Sequence, residues 1–211
     1  MIKNNMQNKL VFLIKIILIC LFFNVNINAS EHDKKNELIT LGKDNAPVKI
    51  KVFSSLTCPH CANFHTEIIP KLLNYVNTGK IQIIFIDFPL DQAAFNASKL
   101  LHCVENKKQM KLLDTIYNNQ KEWIAGSTIE QINNNLKKIV KSFGIDELKF
   151  DKCVNNELIS DKILNGRIDA HKKYSIDSTP TIVINEKKLT GSIDFKNIKK
   201  KNRKKYIIDD I

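Results

Sequence analysis

Glycine and proline are scarce in this chain, with six Gly and five Pro among 211 residues. Collagen-like and low-complexity proteins need far more of both residues, so neither class fits. Cysteine, at five residues, is also too rare for a small scaffold held by disulfides, and a chain of this length can bury a core without such staples. No long hydrophobic run follows residue 30. These absences predict a globular protein with one core, or at most two.

The chain is basic, with 33 Lys and Arg against 22 Asp and Glu and a formal net charge of +11. Such an excess is typical of proteins that bind nucleic acid or anionic membranes. Lys, Asn and Ile are abundant throughout, however, as a base bias of the whole genome would produce. No nucleic-acid recognition motif occurs, so we expect no nucleic-acid partner. In residues 196–205 seven of ten positions are basic, which we interpret as a solvated helix face rather than a membrane-binding surface.

The N-terminus has the pattern of a secretory signal peptide. Lys3 and Lys9 precede an apolar stretch over residues 10–23, and a polar segment then leads to Ala29 and Ser30. A basic region, an apolar region and a small residue at the cut are the three parts of such a signal. The uninterrupted apolar part is shorter than the roughly 18 residues of a spanning helix. We therefore predict cleavage of residues 1–29, a short leader over residues 30–37 and an exported, periplasmic protein.

The mature chain begins with a βαβ pattern. Residues 48–53 are β-branched and alternate at their start, which predicts a strand. A helix face follows, with apolar residues at four-residue spacing, and Pro70 should kink that helix near its middle. Residues 81–86 are almost entirely apolar, which predicts a strand buried on both faces as in a parallel sheet. Strand, helix and strand in this order form a βαβ unit.

The rest of the chain predicts a helical insertion and a closing ββα unit. Residues 91–174 show only helical patterns, with polar breaks that suggest four or five short helices. Residues 181–184 and 187–190 predict a hairpin around Asn185 and Glu186, and a last helix should cover residues 194–206. We therefore divide the mature chain into an α/β domain, residues 38–90 and 172–211, and an inserted all-helical domain, residues 91–171.

The segment Cys58-Pro59-His60-Cys61 lies where the first predicted strand gives way to the helix. Pro59 suits the first helical turn. The unpaired N–H groups and the dipole of a helix start favour a thiolate on Cys58, and His60 could add a hydrogen bond or charge. Two sulfurs within one helical turn can close into a disulfide. We interpret the two cysteines as a redox pair, with Cys58 as the exposed sulfur, Cys61 as the resolving sulfur and no cofactor besides their disulfide.

A metal site and two inert thiols are the alternatives for this motif. A structural zinc usually takes four protein ligands, often from a second C-x-x-C pair, and the chain has none because Cys103 and Cys153 are isolated. His65 could join Cys58 and Cys61 as a copper or zinc ligand, but we interpret it as a surface histidine. We therefore predict no bound metal and keep a metal-binding protein as a less favoured hypothesis.

Five segments together carry a resemblance to a known family: Asn45-Ala46-Pro47-Val48, Phe53-Ser54-Ser55-Leu56-Thr57, the C-P-H-C motif, Asp87-Phe88-Pro89-Leu90 and Ser178-Thr179-Pro180-Thr181. In these segments and their order the chain resembles the DsbA-like proteins of the thioredoxin superfamily. The resemblance implies a thioredoxin-like α/β fold with a central mixed sheet and an inserted helical domain. It also implies a periplasmic thiol:disulfide oxidoreductase that donates a disulfide to reduced or unfolded exported proteins and is reoxidised by a DsbB-like membrane partner.

The resemblance further implies that Pro180 follows a cis peptide bond beside the cysteine pair and that the Thr179 backbone pairs with a substrate strand. Two positions depart from the family pattern, since Val52 and Ile86 replace a buried acid and a lysine. Replacing both halves of a buried charge pair by apolar residues can be neutral for stability. Because the buried acid is missing, a proton relay through a buried carboxylate to Cys61 has no support in this sequence.

Two questions stay open from the sequence. Cys103 and Cys153 could form a second disulfide, as in some DsbA-like relatives, or remain buried thiols that pack as small apolar groups. The pair Cys58 and Cys61 could also serve a disulfide isomerase or reductase. Isomerases of this superfamily usually carry a dimerisation module before the catalytic domain, and only a short polar segment precedes it here. We therefore expect a monomer and favour the disulfide donor.

Overall fold

The computed structural model of the protein describes residues 38–203. The predicted signal peptide and leader lie outside the described residues, as does the end of the predicted last helix. Within residues 38–203 no helix is long and apolar enough to cross a bilayer.

A five-stranded sheet with the order β1-β3-β2-β4-β5 organises the protein. The strands are β1 (Ile39–Leu41), β2 (Val48–Ser54), β3 (Ile81–Asp87), β4 (Thr181–Ile184) and β5 (Lys187–Lys188). Strands β2 and β3 run parallel and the other neighbours pair antiparallel. The mixed sheet confirms the expected fold class. Strand β1 was not predicted, because three residues are too few to show an alternating pattern.

The parallel register brings the ends of β2 and β3 together at one edge of the sheet. Ser54 lies opposite Asp87, the last residue of β3. The first five residues of β3 are all buried, which agrees with a strand covered on both faces. At the other side of the sheet Asn185 and Glu186 both have positive φ, so they form the tight two-residue turn that suits the twist of a hairpin.

The helix after β2 is divided into three parts, where the sequence predicted a single helix with a kink at Pro70. It comprises α1 (Pro59–Asn63), a π-helical turn (Phe64–Ile68) and α2 (Ile69–Asn77). Pro70 has no N–H to donate, and the π-turn changes the hydrogen-bond pattern just before it. Helix α2 ends as predicted near Gly79, whose positive φ of 74° a glycine adopts without a steric penalty.

The insertion contains six helices where four or five were expected. They are α3 (Gln92–Cys103), α4 (Asn106–Asn118), α5 (Gln120–Trp123), α6 (Ile129–Lys141), α7 (Glu147–Val154) and α8 (Glu157–Tyr174). The additional boundaries fall at asparagines. One of them, Asn156, caps α8 by accepting a hydrogen bond of 3.0 Å from the N–H of Ile159. Helix α9 (Phe195–Arg203) follows the hairpin.

One continuous hydrophobic core extends from the sheet into the insertion and includes Cys58 and Cys61. Trp123 is 1% exposed within it, and its indole N–H donates to the Ile116 carbonyl at 2.9 Å. The insertion is also cross-linked, because Cys103 of α3 and Cys153 of α7 form a disulfide with a Cα–Cα distance of 6.1 Å. The redox pair therefore packs in a core that it shares with a disulfide-linked helical insertion.

Candidate active site

The two cysteines of the C-P-H-C motif differ in burial. Cys58 is the N-cap residue of α1, and Cys61 lies in the first turn. Both are free thiols, so the structure shows the reduced form. Cys58 is 9% exposed and Cys61 only 1%. Cys58 is therefore the less buried of the two sulfurs, and the more accessible one to a second molecule.

Burial strongly affects the chemistry of Cys61. Burial, with a smaller contribution from repulsion by charge on Cys58, raises the pKa of the Cys61 thiol to about 12. Hydrogen bonds from the Thr179 side chain and the Ser55 backbone oppose this effect. The Thr179 hydroxyl is buried and makes no hydrogen bond within the described structure, so it is available to donate to a Cys61 thiolate. At neutral pH Cys61 keeps its proton.

The loop before β4 faces the redox pair. The Thr179–Pro180 peptide bond is cis, as the resemblance implied. The Cys58 thiol donates to the Thr179 carbonyl, with Sγ and O 3.4 Å apart. The loop thus presents a backbone acceptor directly to the accessible sulfur, although the two residues are 121 positions apart in the sequence.

A groove of about 470 Å³ opens between this loop and the helix that carries the cysteines. Its apolar part is formed by Phe64, Ile68, Pro180 and Ile193. His60 and Glu67 line it as well, and both side chains are exposed. Thr179, whose carbonyl accepts the hydrogen bond from Cys58, is also one of the lining residues. The groove is therefore the surface on which an extended peptide could lie beside the reactive sulfur.

Polar contacts that the sequence did not reveal hold the segment before Cys58. Gln120 of α5 is buried, and its amide donates to the carbonyls of Leu56 at 2.7 Å and Cys58 at 3.1 Å. The Thr57 hydroxyl donates to Asp91 at 2.6 Å. These contacts join the active-site loop to the insertion. No local pattern could have indicated them, because Gln120 is 64 positions from Leu56.

The structure corrects the prediction for His65, which is buried rather than on the surface, with its Nε2 2.6 Å from Asp114. Two further histidines also have partners. His102 Nε2 lies 2.7 Å from Asp87, and His171 Nδ1 lies 2.9 Å from a backbone carbonyl. The sequence missed these pairs because each partner is set by the tertiary fold or by a turn.

A metal site on Cys58, Cys61 and His65 finds no support in this geometry. His65 is paired with Asp114, and its ring packs against Tyr117 with 4.7 Å between centroids. Among residues 38–203 no three His, Cys, Asp or Glu side chains are grouped so as to hold a metal ion.

The two positions that depart from the family pattern are apolar packing sites. Val52 is 1% exposed in the main core, and Ile86 packs partly buried against a smaller cluster that contains Phe53 and Phe88. Apolar neighbours therefore surround the places where a buried charge pair was expected. A well-packed apolar replacement of such a pair needs no compensating partner.

Comparisons with known proteins agree with this geometry. The family model described as Thioredoxin matches residues 34–201. A Bacillus cereus protein named probable disulfide bond formation protein D is 27% identical over 206 residues, which cover 90% of this chain and 92% of the relative. The crystal structure of Wolbachia pipientis alpha-DsbA1 matches with a TM-score of 0.69 and 28% identity, over 80% of this chain and 90% of that one.

A second solved structure, oxidised BdbD from Bacillus subtilis, shares the fold with a TM-score of 0.67 and 23% identity, over 79% of this chain and 91% of that one. The mixed five-stranded sheet with its inserted helices fits these matches. The chain therefore belongs to the thioredoxin family, as a DsbA-like thiol:disulfide oxidoreductase.

Proposed function

We propose that the protein donates its Cys58–Cys61 disulfide to reduced exported proteins in the periplasm. The observation that carries this proposal is the asymmetry of the pair. Cys58 is 9% exposed and contacts Thr179, which lines an open groove, whereas Cys61 is 1% exposed and burial raises its pKa to about 12. Such a pair offers one sulfur to a substrate and keeps the other for the internal bond.

The transfer takes two exchanges. A substrate thiolate attacks Cys58 Sγ, the bond to Cys61 Sγ breaks, and the electron pair leaves on Cys61. Because the pKa of Cys61 is about 12, this sulfur takes up a proton at neutral pH. A second substrate thiolate then attacks the substrate sulfur of the mixed disulfide, and Cys58 leaves as a thiolate. The substrate has lost two electrons to the enzyme.

The cis-proline loop supports a role in binding. The Thr179 carbonyl accepts a hydrogen bond from Cys58 in the reduced form. We infer that a backbone N–H of an extended substrate takes this acceptor in the mixed disulfide, while Pro180 contacts the neighbouring side chain. Addition of a strand to an exposed backbone edge is a general mode of peptide recognition. Pro59 would support the site by starting the helix, and His60 would do so by lining the groove.

Export and reoxidation complete the proposal. The signal-peptide pattern in residues 1–29 and relatives named for disulfide bond formation support action outside the cytoplasm. The reduced enzyme needs an electron acceptor to act again, and a DsbB-like membrane protein would supply it.

A refolding assay tests the donor function. The oxidised protein is mixed at stoichiometric concentration with a reduced, unfolded substrate protein, and thiols are counted over time. We expect loss of two substrate thiols for each enzyme disulfide, no transfer by Cys58→Ser, and a trapped mixed disulfide when Cys61→Ser reacts with an activated substrate disulfide. Failure of the wild type to transfer its disulfide would reject the proposal. Faster repair of scrambled disulfides than oxidation of thiols would instead select an isomerase.

A further inference from the structure

The groove near Cys58 is lined by an acidic side chain, whereas the chain as a whole is basic. The chain has 33 basic against 22 acidic residues, so its long-range field attracts anionic substrates. Glu67 is nevertheless the one carboxylate that lines the groove, and no Lys or Arg of the described residues lines it. A substrate that reaches the groove therefore meets a charge opposite to that of the whole protein.

The carboxylate of Glu67 is available to a ligand. Its side chain is exposed, and within residues 38–203 it makes no ion pair, although Lys71 follows four positions later. Apolar surface from Phe64 and Ile68 lies next to it on the same helical segment. An apolar surface with a single free carboxylate matches a peptide that carries an apolar side chain near a cationic one.

The spacing along the helix indicates where the cation should lie in the substrate. Glu67 follows Cys58 by nine positions, which at a rise of about 1.5 Å per residue is roughly 13 Å. An extended peptide advances about 3.3 Å per residue, so it covers that distance in about four residues.

We propose that Glu67 makes this oxidoreductase prefer substrate cysteines that lie about four residues from a lysine or arginine, with an apolar residue between them. The inference rests on the proposed function, since it concerns the peptide that the groove receives during disulfide transfer. It names the class of substrate, cationic and partly apolar segments of reduced proteins.

The expected preference is modest because Glu67 is exposed. Exposed ion pairs change an equilibrium or a rate by about 1.5-fold to 5-fold. The effect should also depend on salt, because the Debye length falls from about 10 Å at 0.1 M to about 3 Å at 1 M ionic strength.

Six reduced peptides, in two sets of three, test the proposal. Each contains two cysteines and one apolar residue. Lys, Gln or Glu stands four positions before the first cysteine in one set and four positions after it in the other. The measured quantity is the second-order rate constant for reduction of the Cys58–Cys61 disulfide in the oxidised full chain. Glu67→Gln removes the charge and Glu67→Lys reverses it. Glu130→Gln is the matched control, because Glu130 is an exposed acid on α6 outside the groove.

In the wild type we expect the Lys peptide of at least one set to react about 1.5-fold to 5-fold faster than the Gln peptide and the Glu peptide to react slowest. Glu130→Gln should keep this order, Glu67→Gln should remove it, and Glu67→Lys should reverse it. At 1 M salt the wild-type rates should converge. Equal rates, a wild-type preference for the Glu peptide, or a Lys preference that survives Glu67→Gln would overturn the inference. If no peptide is oxidised by any variant, the proposed function itself fails.

Discussion

Gln120 offers a direct test of whether the insertion holds the active-site loop. Its side chain is 5% exposed, and its amide donates to the Leu56 and Cys58 carbonyls. In a Gln120→Leu variant the shape is largely kept, but both donors are lost. The Cys58 carbonyl keeps the backbone N–H groups of Cys61 and Ala62 at 3.1 Å each. The Leu56 carbonyl loses its Gln120 donor.

The cost follows from leaving one buried carbonyl without a partner. That desolvation penalty is about 1–3 kcal/mol, which lowers Tm by roughly 2–12 °C in a domain of this size. The loop before Cys58 should also open more often, so the Cys58 thiol should react faster with a small alkylating reagent. We expect both changes together, because one set of hydrogen bonds fixes both the stability and the position of the loop.

Thermal unfolding by circular dichroism and the rate of iodoacetamide labelling at Cys58 measure the two effects. Gln109→Leu is the control, because Gln109 is also a buried glutamine of the insertion, 7% exposed, but makes no hydrogen bond to the active-site loop in the described structure. If Gln120→Leu and Gln109→Leu had the same Tm and the same labelling rate, the insertion would not hold the loop in this way.

Three further predictions concern the disulfide, the cis-proline loop and a surface ion cluster. Replacing both Cys103 and Cys153 by Ala opens a loop of 50 residues, so the free energy of unfolding should fall by about 4 kcal/mol. Denaturant unfolding measures this change, and an unchanged midpoint would contradict the prediction. Thr179→Val removes a hydroxyl that favours the Cys61 thiolate, so the pKa of Cys61 should be higher with Val than with Thr at position 179. An NMR titration of labelled cysteine compares the two in a Cys58→Ser background, and a lower pKa with Val would refute the role of that hydroxyl. Hydrogen bonds from lysines and a tyrosine lower the pKa of Glu186 from 4.5 to about 2. The stabilisation from these hydrogen bonds is complete above the unfolded pKa and is lost as pH falls from about 4.5 to 2. Wild type and Glu186→Gln should therefore differ in free energy of unfolding by less than about 1 kcal/mol, because the cluster is exposed. That difference should disappear over the same pH range.

Much of the fold follows from local patterns in the sequence. The alternating and apolar runs predicted β2, β3 and the hairpin, and the helical periodicity predicted an all-helical insertion. The failures have local causes. Strand β1 is three residues long, too short for a pattern, and the extra helix boundary before α8 depends on a cap at Asn156 that polar composition alone does not distinguish from a helical surface.

The candidate site divides in the same way. The C-P-H-C motif after a strand was enough to place the two cysteines at the start of a helix. The proline before β4 indicated the facing loop only through resemblance to a family. Gln120, the free carboxylate of Glu67 in the groove, and the pairing of His65 with Asp114 were not predictable, because no periodicity or spacing records them.

The amino-acid order by itself determined β2, β3, the hairpin, most helices and the place of the two reactive sulfurs, since these depend on periodicity and on the chemistry of a helix start. Tertiary structure alone decided which distant groups meet them. Thr179 comes within 3.4 Å of Cys58 across 121 positions, and Gln120 reaches Leu56 across 64. A hydrogen bond between residues so far apart depends on how the sheet and the insertion pack together. The residues next to each partner in the sequence do not indicate that packing.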